Sequence, residues 1–393
     1  MANISFMLER FPGGGTERVV MNLAKPLAEC GHKIFLFVHK LQKDKLAEEA
    51  LPITYIPLCY KLTDRGNFPT IEEAIKRENI DIFFIVGMGL LPKYLGELKR
   101  SGWCKIVNVL HSMPFHELVQ KEAAVKQPLK KTIFALAKNY LLTLPKFKLG
   151  YYDKKVLKKY TTIYQHTDSY GVLFDSFGVA LAERLGVESD SSKICTLPNP
   201  LPDVEFNLED AKREKRIVYV GRLTYHDKRL DRLLAVWERL HLRFPEWRLS
   251  FVGDGNDEAN LKSIVAKKGL QRVEFLGWHN NPFEFYQTSE IMCMTSIVEG
   301  CPMAMLEAQQ CGCVPVAFEC STGIREILSP NWHSGVYVAN GDIAAYAEVL
   351  SKLMSDDELR RQIQANGPAN AKRFSVEKSV KCYDELIKKL CSE

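Results

Sequence analysis

No apolar run in this sequence is long enough to cross a bilayer. The longest charge-free stretches, such as Ile82 to Pro92, fall well short of the roughly 20 residues a spanning helix needs. The N-terminal MANISFMLERFPGGG has a short apolar strand with no basic region ahead of it, so no signal peptide is expected. The eleven cysteines fall into no disulfide-framework spacing, and a chain that stays in a reducing cytoplasm is the expectation. Cys311 and Cys313 lie two apart, but no second ligand pair stands at zinc spacing, so they read as small packing residues. Solenoid-period repeats are absent. The glycines of PGGGT do not form the dinucleotide G-x-G-x-x-G pattern. A net charge of +5 over 393 residues does not announce a nucleic-acid binder, and no nucleic-acid recognition module is present.

What is there is a long alternation. The length allows two domains, and 46% apolar content fills two cores. Residues 3–8 read as a strand. A loop of three glycines follows, Gly14 and Gly15 among them, whose flexibility lets a ligand approach the backbone closely. Thr16 is the expected cap of a helix ending near Gly31. Strands are expected at 33–38, 53–56, 82–86, 105–110, 170–174 and 193–197, with helices between them. The prolines of PNPLPD, 198–203, end this half. A second alternation begins with a strand over 216–223 and a helix from about Arg229 to Phe244. Strands follow at 247–255 and 273–278, and helices close the chain over 343–354, 357–372 and 376–390. Strands alternating with helices predict parallel sheets covered on both faces.

The stretch from Thr295 to Phe318, TSIVEGCPMAMLEAQQCGCVPVAF, is the centre of the functional reading. It lies between two short apolar runs, 291–294 and 314–318, that read as buried strands. Pro302 falls where a helix would start, and Met303–Gln310 reads as that helix. Glu299 is then on the loop leaving a strand, and Glu307 more than a turn into the helix. Amides around Gly300 to Ala304, those of Gly300, Cys301, Met303 and Ala304 on either side of Pro302, would emerge from the helix start without internal partners, a cradle suited to a diphosphate. Each carboxylate can accept two hydrogen bonds from the vicinal hydroxyls of a sugar.

The string EG-x-P, then Glu307-Ala308, then GCVPV, resembles the E-x7-E signature of the retaining nucleotide-sugar glycosyltransferases of family 4. The resemblance covers essentially the whole chain except 115–165. It implies an α/β GT-B fold: two Rossmann-like, doubly wound domains facing a central cleft. Residues 1–202 would form the acceptor-side domain and 203–375 the nucleotide-sugar side. Residues 376–393 would be a helix crossing back to the first domain, an assignment that the apolar spacing of Val376, Val380, Tyr383, Leu386, Ile387 and Leu390 suits. It further implies that Glu299 meets the donor sugar and Glu307 the ribose. Arg222 and Lys228, of VGRLTYHDK, would neutralise the leaving diphosphate. Arg229 stands where the family has glycine. His111, directly after the 105–110 strand, would contact the hexose or acceptor, with His116 as the alternative. Asn199 matches a recurrent Pro-Asn. Gly253, in the glycine-rich turn after a strand, would approach the nucleotide, and Trp278 is a candidate to stack on its base.

With no Asp-x-Asp on a strand-end loop, no obligatory metal or other cofactor is expected. The donor implied is a UDP-sugar, with GDP-mannose as the alternative, and the acceptor a glycan or lipid-linked hydroxyl in polysaccharide or glycolipid biosynthesis. A nucleotide-sugar epimerase of the same fold and a catalytically silent scaffold are the rival readings. The helical insertion 115–165 adds a membrane expectation. Residues 121–160 hold eleven lysines and two acids, a local net charge of +9, interleaved with aromatics. A helix over Lys131–Leu144 would gather Ile133, Leu136, Ala137, Tyr140 and Leu144 on one face. Peripheral attachment to the anionic, cytoplasmic face of a membrane follows.

Overall fold

The computed structural model describes residues 1–42, 51–86, 92–126, 139–188, 192–208 and 212–392. The chain forms two compact units. The first comprises residues 1–118, 140–202 and 374–393; the second comprises 119–139 and 203–373. The helix expected over Lys131–Leu144 lies mostly outside the described residues; within it, Asn139–Thr143 forms a single wide helical turn.

In the first unit seven strands make one parallel sheet: β1 (Asn3–Phe11), β2 (Lys33–Leu41), β3 (Ile53–Pro57), β4 (Ile82–Val86), β5 (Lys105–Val109), β6 (Ser169–Val172) and β7 (Ile194–Thr196). Their order is β3-β2-β1-β4-β5-β6-β7. All five residues of β4, IFFIV, are buried, as a strand covered on both faces requires. The first helix, Gly15–Glu29, buries Val19, Val20, Leu23, Ala24 and Leu27 along one face. Its cap is not Thr16, which lies inside the helix. Gly14 takes the extended cap conformation, and no side chain caps the first turn. The glycine run is free to reach that conformation two residues earlier than the hydroxyl signal suggests. The last helix, Val376–Ser392, belongs to this unit. Its Val380, Tyr383, Leu386, Ile387 and Leu390 join the core formed by β1, β2 and the first helix, and Asp384 binds His32 at 3.0 Å.

The second unit repeats the plan with β8 (Glu214–Val220), β9 (Arg248–Val252), β10 (Val273–Gly277), β11 (Ser289–Met294), β12 (Val314–Glu319) and β13 (Val336–Ala339). Their parallel order is β10-β9-β8-β11-β12-β13. Its core packs Trp237, Trp247, Phe251, Ile291, Val316 and Tyr346. The helix expected from about Arg229 to Phe244 forms over Leu230–Glu238 and ends sooner. Within the expected TYHDK loop a short helix, Tyr225–Lys228, stops at Arg229, whose left-handed φ of 48° is the break between the two helices. Strand β13 and the helices Phe283–Thr288 and Thr322–Leu328 carry too few residues for their periodicity to show in the sequence.

In each sheet the strand order reverses once, between β1 and β4 and between β8 and β11. Ligands of open parallel sheets bind outside the C-terminal strand ends at that reversal. Beside it, β8 and β9 end in a backbone-to-backbone approach. Gly253 has φ 130°, and a Cβ there would lie 2.0 Å from the Gly221 carbonyl oxygen. Both conformation and space therefore demand glycine. Gly253→Ala should lower stability by roughly 2–4 kcal/mol, read by urea denaturation. A loss under about 0.5 kcal/mol would show that the two strand ends tolerate separation.

Candidate active site

Glu299, Arg222, Lys228, Glu307, Gly253 and the Gly300–Ala304 stretch all lie in the second unit; His111, Asn199, Gly14 and Gly15 lie in the first. Arg222 and Lys228 leave β8, and Glu299 follows β11, its parallel neighbour. The sheet thus delivers both cations and the first glutamate to the point where strand order reverses.

There the side chains are coupled. Lys228 Nζ donates to Glu299 Oε1 at 2.7 Å, and the two side chains are only 18% and 10% exposed. Burial presses the Lys228 ammonium toward neutrality, but the charge and hydrogen bond of Glu299, with Asp227 behind them, outweigh it and hold the pKa above its ordinary value. Hydrogen bonds to backbone carbonyls tie the same loops. Ile297 N–H donates to Asp227 O at 2.9 Å, and Thr295 Oγ1 donates to the carbonyls of Lys228 and Arg229 at 3.2 and 3.1 Å. Arg222 is different: its side chain is 73% exposed, held at one point by Asp227 Oδ2 at 3.3 Å. Burial raises the Asp227 pKa, but the Thr224 hydroxyl and the two cations more than offset this, so the carboxyl stays charged.

Arg229 keeps the conformation that glycine would hold there without strain. The cost, about 1–2 kcal/mol for a side chain in that region, is met by a two-point fork on Asp231, both bonds 3.0 Å, and by packing over the Tyr225 ring.

The helix Met303–Gln310 begins after Pro302, with no side-chain cap. Gly300, Cys301 and Pro302 are buried, while Met303 and Ala304 are partly open. Glu307 is buried on its fifth residue, and Tyr286 Oη donates to Glu307 Oε2 at 3.1 Å. Burial, then the charge of Glu299, pushes the Cys301 thiol up to about 12, so it is no nucleophile. Cys311 and Cys313 are fully packed. Trp278, 59% exposed at the end of β10, is no core residue.

In the first unit His111 and Asn199 meet. His111 Nδ1 lies 2.9 Å from Asn199 Oδ1. With that oxygen accepting, the proton sits on Nδ1 and Nε2 presents a lone pair. Burial lowers the His111 pKa to about 4, against a smaller upward pull from Asn199, so the imidazole is neutral at physiological pH. His116 instead opens the helix His116–Lys126, 3.5 Å from Glu117. Gly14 and Gly15 form the entry of the first helix, after β1.

Sequence reading missed Asp227, Asp231 and Tyr286, which hold Arg222, Arg229 and Glu307. Asp227 had a signal, an acid directly before Lys228 and one turn after Arg222; the others had none. Ser296 and Ser321, just beyond the adjacent strands β11 and β12, bury hydroxyls that lack a protein partner among the described residues. Among those residues, no three His, Cys, Asp or Glu side chains converge as a metal site.

Two family models match the chain: Glycosyltransferase Family 4 over residues 13–201 and Glycosyl transferases group 1 over 203–370. An amylovoran biosynthesis glycosyltransferase of Erwinia amylovora is 30% identical over 178 residues, 45% of this chain and 49% of that protein. The chain thus spans about half the length of several curated relatives that it matches. An α-1,4-N-acetyl-D-galactosaminyltransferase of Campylobacter jejuni, named for a diphospho-undecaprenol-linked glycan, is 21% identical over 96% of this chain and 95% of its own. An Anabaena protein crystallised with UDP-glucose superposes with a TM-score of 0.72 at 15% identity, covering 99% of this chain and 100% of that one. The fold is GT-B.

Two outcomes follow from the site's electrostatics. Glu299→Ala strands a largely buried ammonium and should cost about 2–4 kcal/mol. The double variant Glu299→Gln, Lys228→Met should cost less than the single one; urea denaturation of the three proteins checks the order. For His111 the folded group protonates at about 4, below its ordinary 6.5. Between those values the unfolded chain takes up the proton and the folded chain does not. Its stabilisation is therefore complete above pH 6.5 and lost as pH falls toward 4. An NMR titration should find the ring neutral at pH 5.5, and His111→Gln should lose less stability than the parent over that acid window.

Proposed function

Because this chain belongs to the family 4 and group 1 glycosyltransferases, we propose that it transfers a hexosyl unit from a nucleotide-sugar to a hydroxyl of a glycan or lipid-linked acceptor, with retention of anomeric configuration. UDP-hexose is the donor we assign first, with GDP-mannose second. The reaction serves cell-surface polysaccharide or glycolipid assembly, a reading supported by relatives named for lipopolysaccharide and for an undecaprenol-linked glycan. The observation that carries the reading is the convergence of Arg222, Lys228 and Glu299 on the strand-order reversal of the second sheet.

In this reading residues 203–375 hold the donor and 1–202 the acceptor. The bond from the anomeric carbon to the diphosphate breaks, and the acceptor oxygen bonds that carbon on the same face. The acceptor proton passes to the departing phosphate. Lys228, a compact point charge, and Arg222, a mobile planar fork, take up the negative charge that develops there, without an obligatory metal. Amides of the Gly300–Ala304 turn and the close-packed Gly253 turn line the diphosphate. Glu299 accepts from hydroxyls of the hexose and Glu307 from the ribose, through whatever acceptor capacity Tyr286 leaves. His111 Nε2, oriented by Asn199, accepts from a hydroxyl of the transferred sugar or acceptor. Gly14 and Gly15 allow close backbone approach. In this reading the enzyme works in the cytoplasm, peripherally on the cytoplasmic face of the membrane that holds a lipid-linked acceptor.

Calorimetry and product analysis test this. Glu307→Ala should weaken UDP binding by about tenfold, whereas Glu299→Ala should lose turnover more than UDP affinity. Lys228→Met should cut transfer on the order of 100-fold or more, and EDTA should leave the parent's rate unchanged. Mass spectrometry with a donor panel and lipid extracts should find a glycosylated product. Unchanged UDP affinity in Glu307→Ala would remove the ribose assignment. EDTA inactivation reversed by manganese would remove the metal-free one.

A further inference from the structure

Large apolar side chains left in solvent are few among the described residues, and four of them fall within one short segment: Leu141, Leu142, Leu149 and Tyr151. Leu141 is 73% exposed and Leu149 80%. Their exposure follows from how the segment is built. The short helix Leu144–Lys148 buries nothing. It turns at Gly150, in the left-handed conformation, into the helix Tyr151–Gln165. That longer helix is anchored by one face, where Tyr160 and Ile163 are buried and Tyr160 Oη accepts from Phe115 N–H at 3.0 Å. The opposite face carries Tyr151, Lys154, Lys155 and Lys158, all exposed. These positions recur at the three- and four-residue spacing of a single helix face. Lys146 and Lys148 add two exposed cations at the turn. The one acid of the segment, Asp153, is already bound by Arg184.

Exposed leucines at a turn beside an unneutralised lysine face need a partner that is apolar just below an anionic surface. An anionic lipid bilayer has that layering over its whole extent, whereas a nucleic acid has no apolar layer beneath its charge. We propose that residues 141–158 form a membrane-docking surface. Leu141, Leu142 and Leu149 enter the acyl boundary, and Lys154, Lys155 and Lys158 lie against anionic phospholipid headgroups. This deepens the lipid-linked-acceptor reading by naming the surface that holds the enzyme beside its acceptor, and it can fail separately from that reading.

The test uses the full chain, sedimented with vesicles of phosphatidylcholine alone or mixed with phosphatidylglycerol, while UDP binding is measured on the same samples by calorimetry. The protein should sediment with the mixed vesicles and not the neutral ones, and less so as salt rises. Each lysine contributes roughly fivefold to partition, so Lys154→Glu with Lys155→Glu and Lys158→Glu should lower it about a hundredfold or more. Leu141→Ser with Leu149→Ser should lower it at every salt concentration. All these positions are exposed, so UDP binding should be unchanged throughout. Equal sedimentation with both vesicle types, none with either, or no loss in the lysine variant would overturn the proposal. So would a dimer of the parent in the ultracentrifuge that the leucine variant dissolves, since a second copy would then cover the patch. Where vesicle binding is absent and UDP still binds, only the docking surface falls. If vesicles bind while UDP and transfer activity are absent, the glycosyltransferase reading falls and the docking surface stands.

Discussion

The second unit's site hangs on one partly buried ion pair, Lys228 to Glu299. The two residues arrive from different strands, and their pairing fixes how the loops after β8 and β11 lie against each other. An ion pair in such a place contributes little net stability, because the desolvation of both charges offsets most of their attraction. What it contributes is position. Its removal from one side leaves a charge with nowhere to go, whereas the backbone bonds of Ile297 and the hydroxyl of Thr295 can survive alone. Because Lys228 and Glu299 are paired, a sugar hydroxyl reaching Glu299 and a phosphate reaching Lys228 would address the same pair. Binding one of them changes the electrostatic environment of the other.

The first unit handles its polar group in the opposite manner. His111 is uncharged, because burial outweighs its hydrogen bond to Asn199. A neutral imidazole with a fixed tautomer can accept from a hydroxyl but is a weak base. That suits contact and orientation better than proton abstraction, and it leaves the acceptor proton to the departing phosphate in the proposed reaction.

Much of this was legible before the structure. The five-residue IFFIV run reads as a strand covered on both sides, and Pro302 marks the start of Met303–Gln310 because a helix entrance needs no N–H from it and suits its fixed φ. The spacing of Glu299 and Glu307 placed one on a loop and one inside that helix. Other features were not legible, for physical reasons. Thr16 carries a capping signal, but the glycines before it let the helix begin sooner. The break at Arg229 depends on backbone strain compensated by Asp231 and Tyr225, a tertiary arrangement that no periodicity reports. Strand β13 is four residues long and held by its neighbour rather than by pattern. The partners of the charged residues, Asp227 and Tyr286 among them, are set by where loops and helices meet, and spacing along the chain does not encode that.

The return of the helix Val376–Ser392 to the first unit bears on the order of biosynthesis. Ribosomes deliver the first unit's strands before the second unit, yet Val380, Tyr383, Leu386, Ile387 and Leu390 complete its core only with a helix made after the second unit. At about 1.5–3 kcal/mol for each large apolar side chain buried, these contacts are comparable with the whole stability of an ordinary domain. The second unit's main segment, by contrast, is finished before that helix emerges. Maturation therefore runs against the order of translation. The half synthesised first waits with an open apolar face for a helix made after the second unit, and it is the half on which chaperones have longer to act.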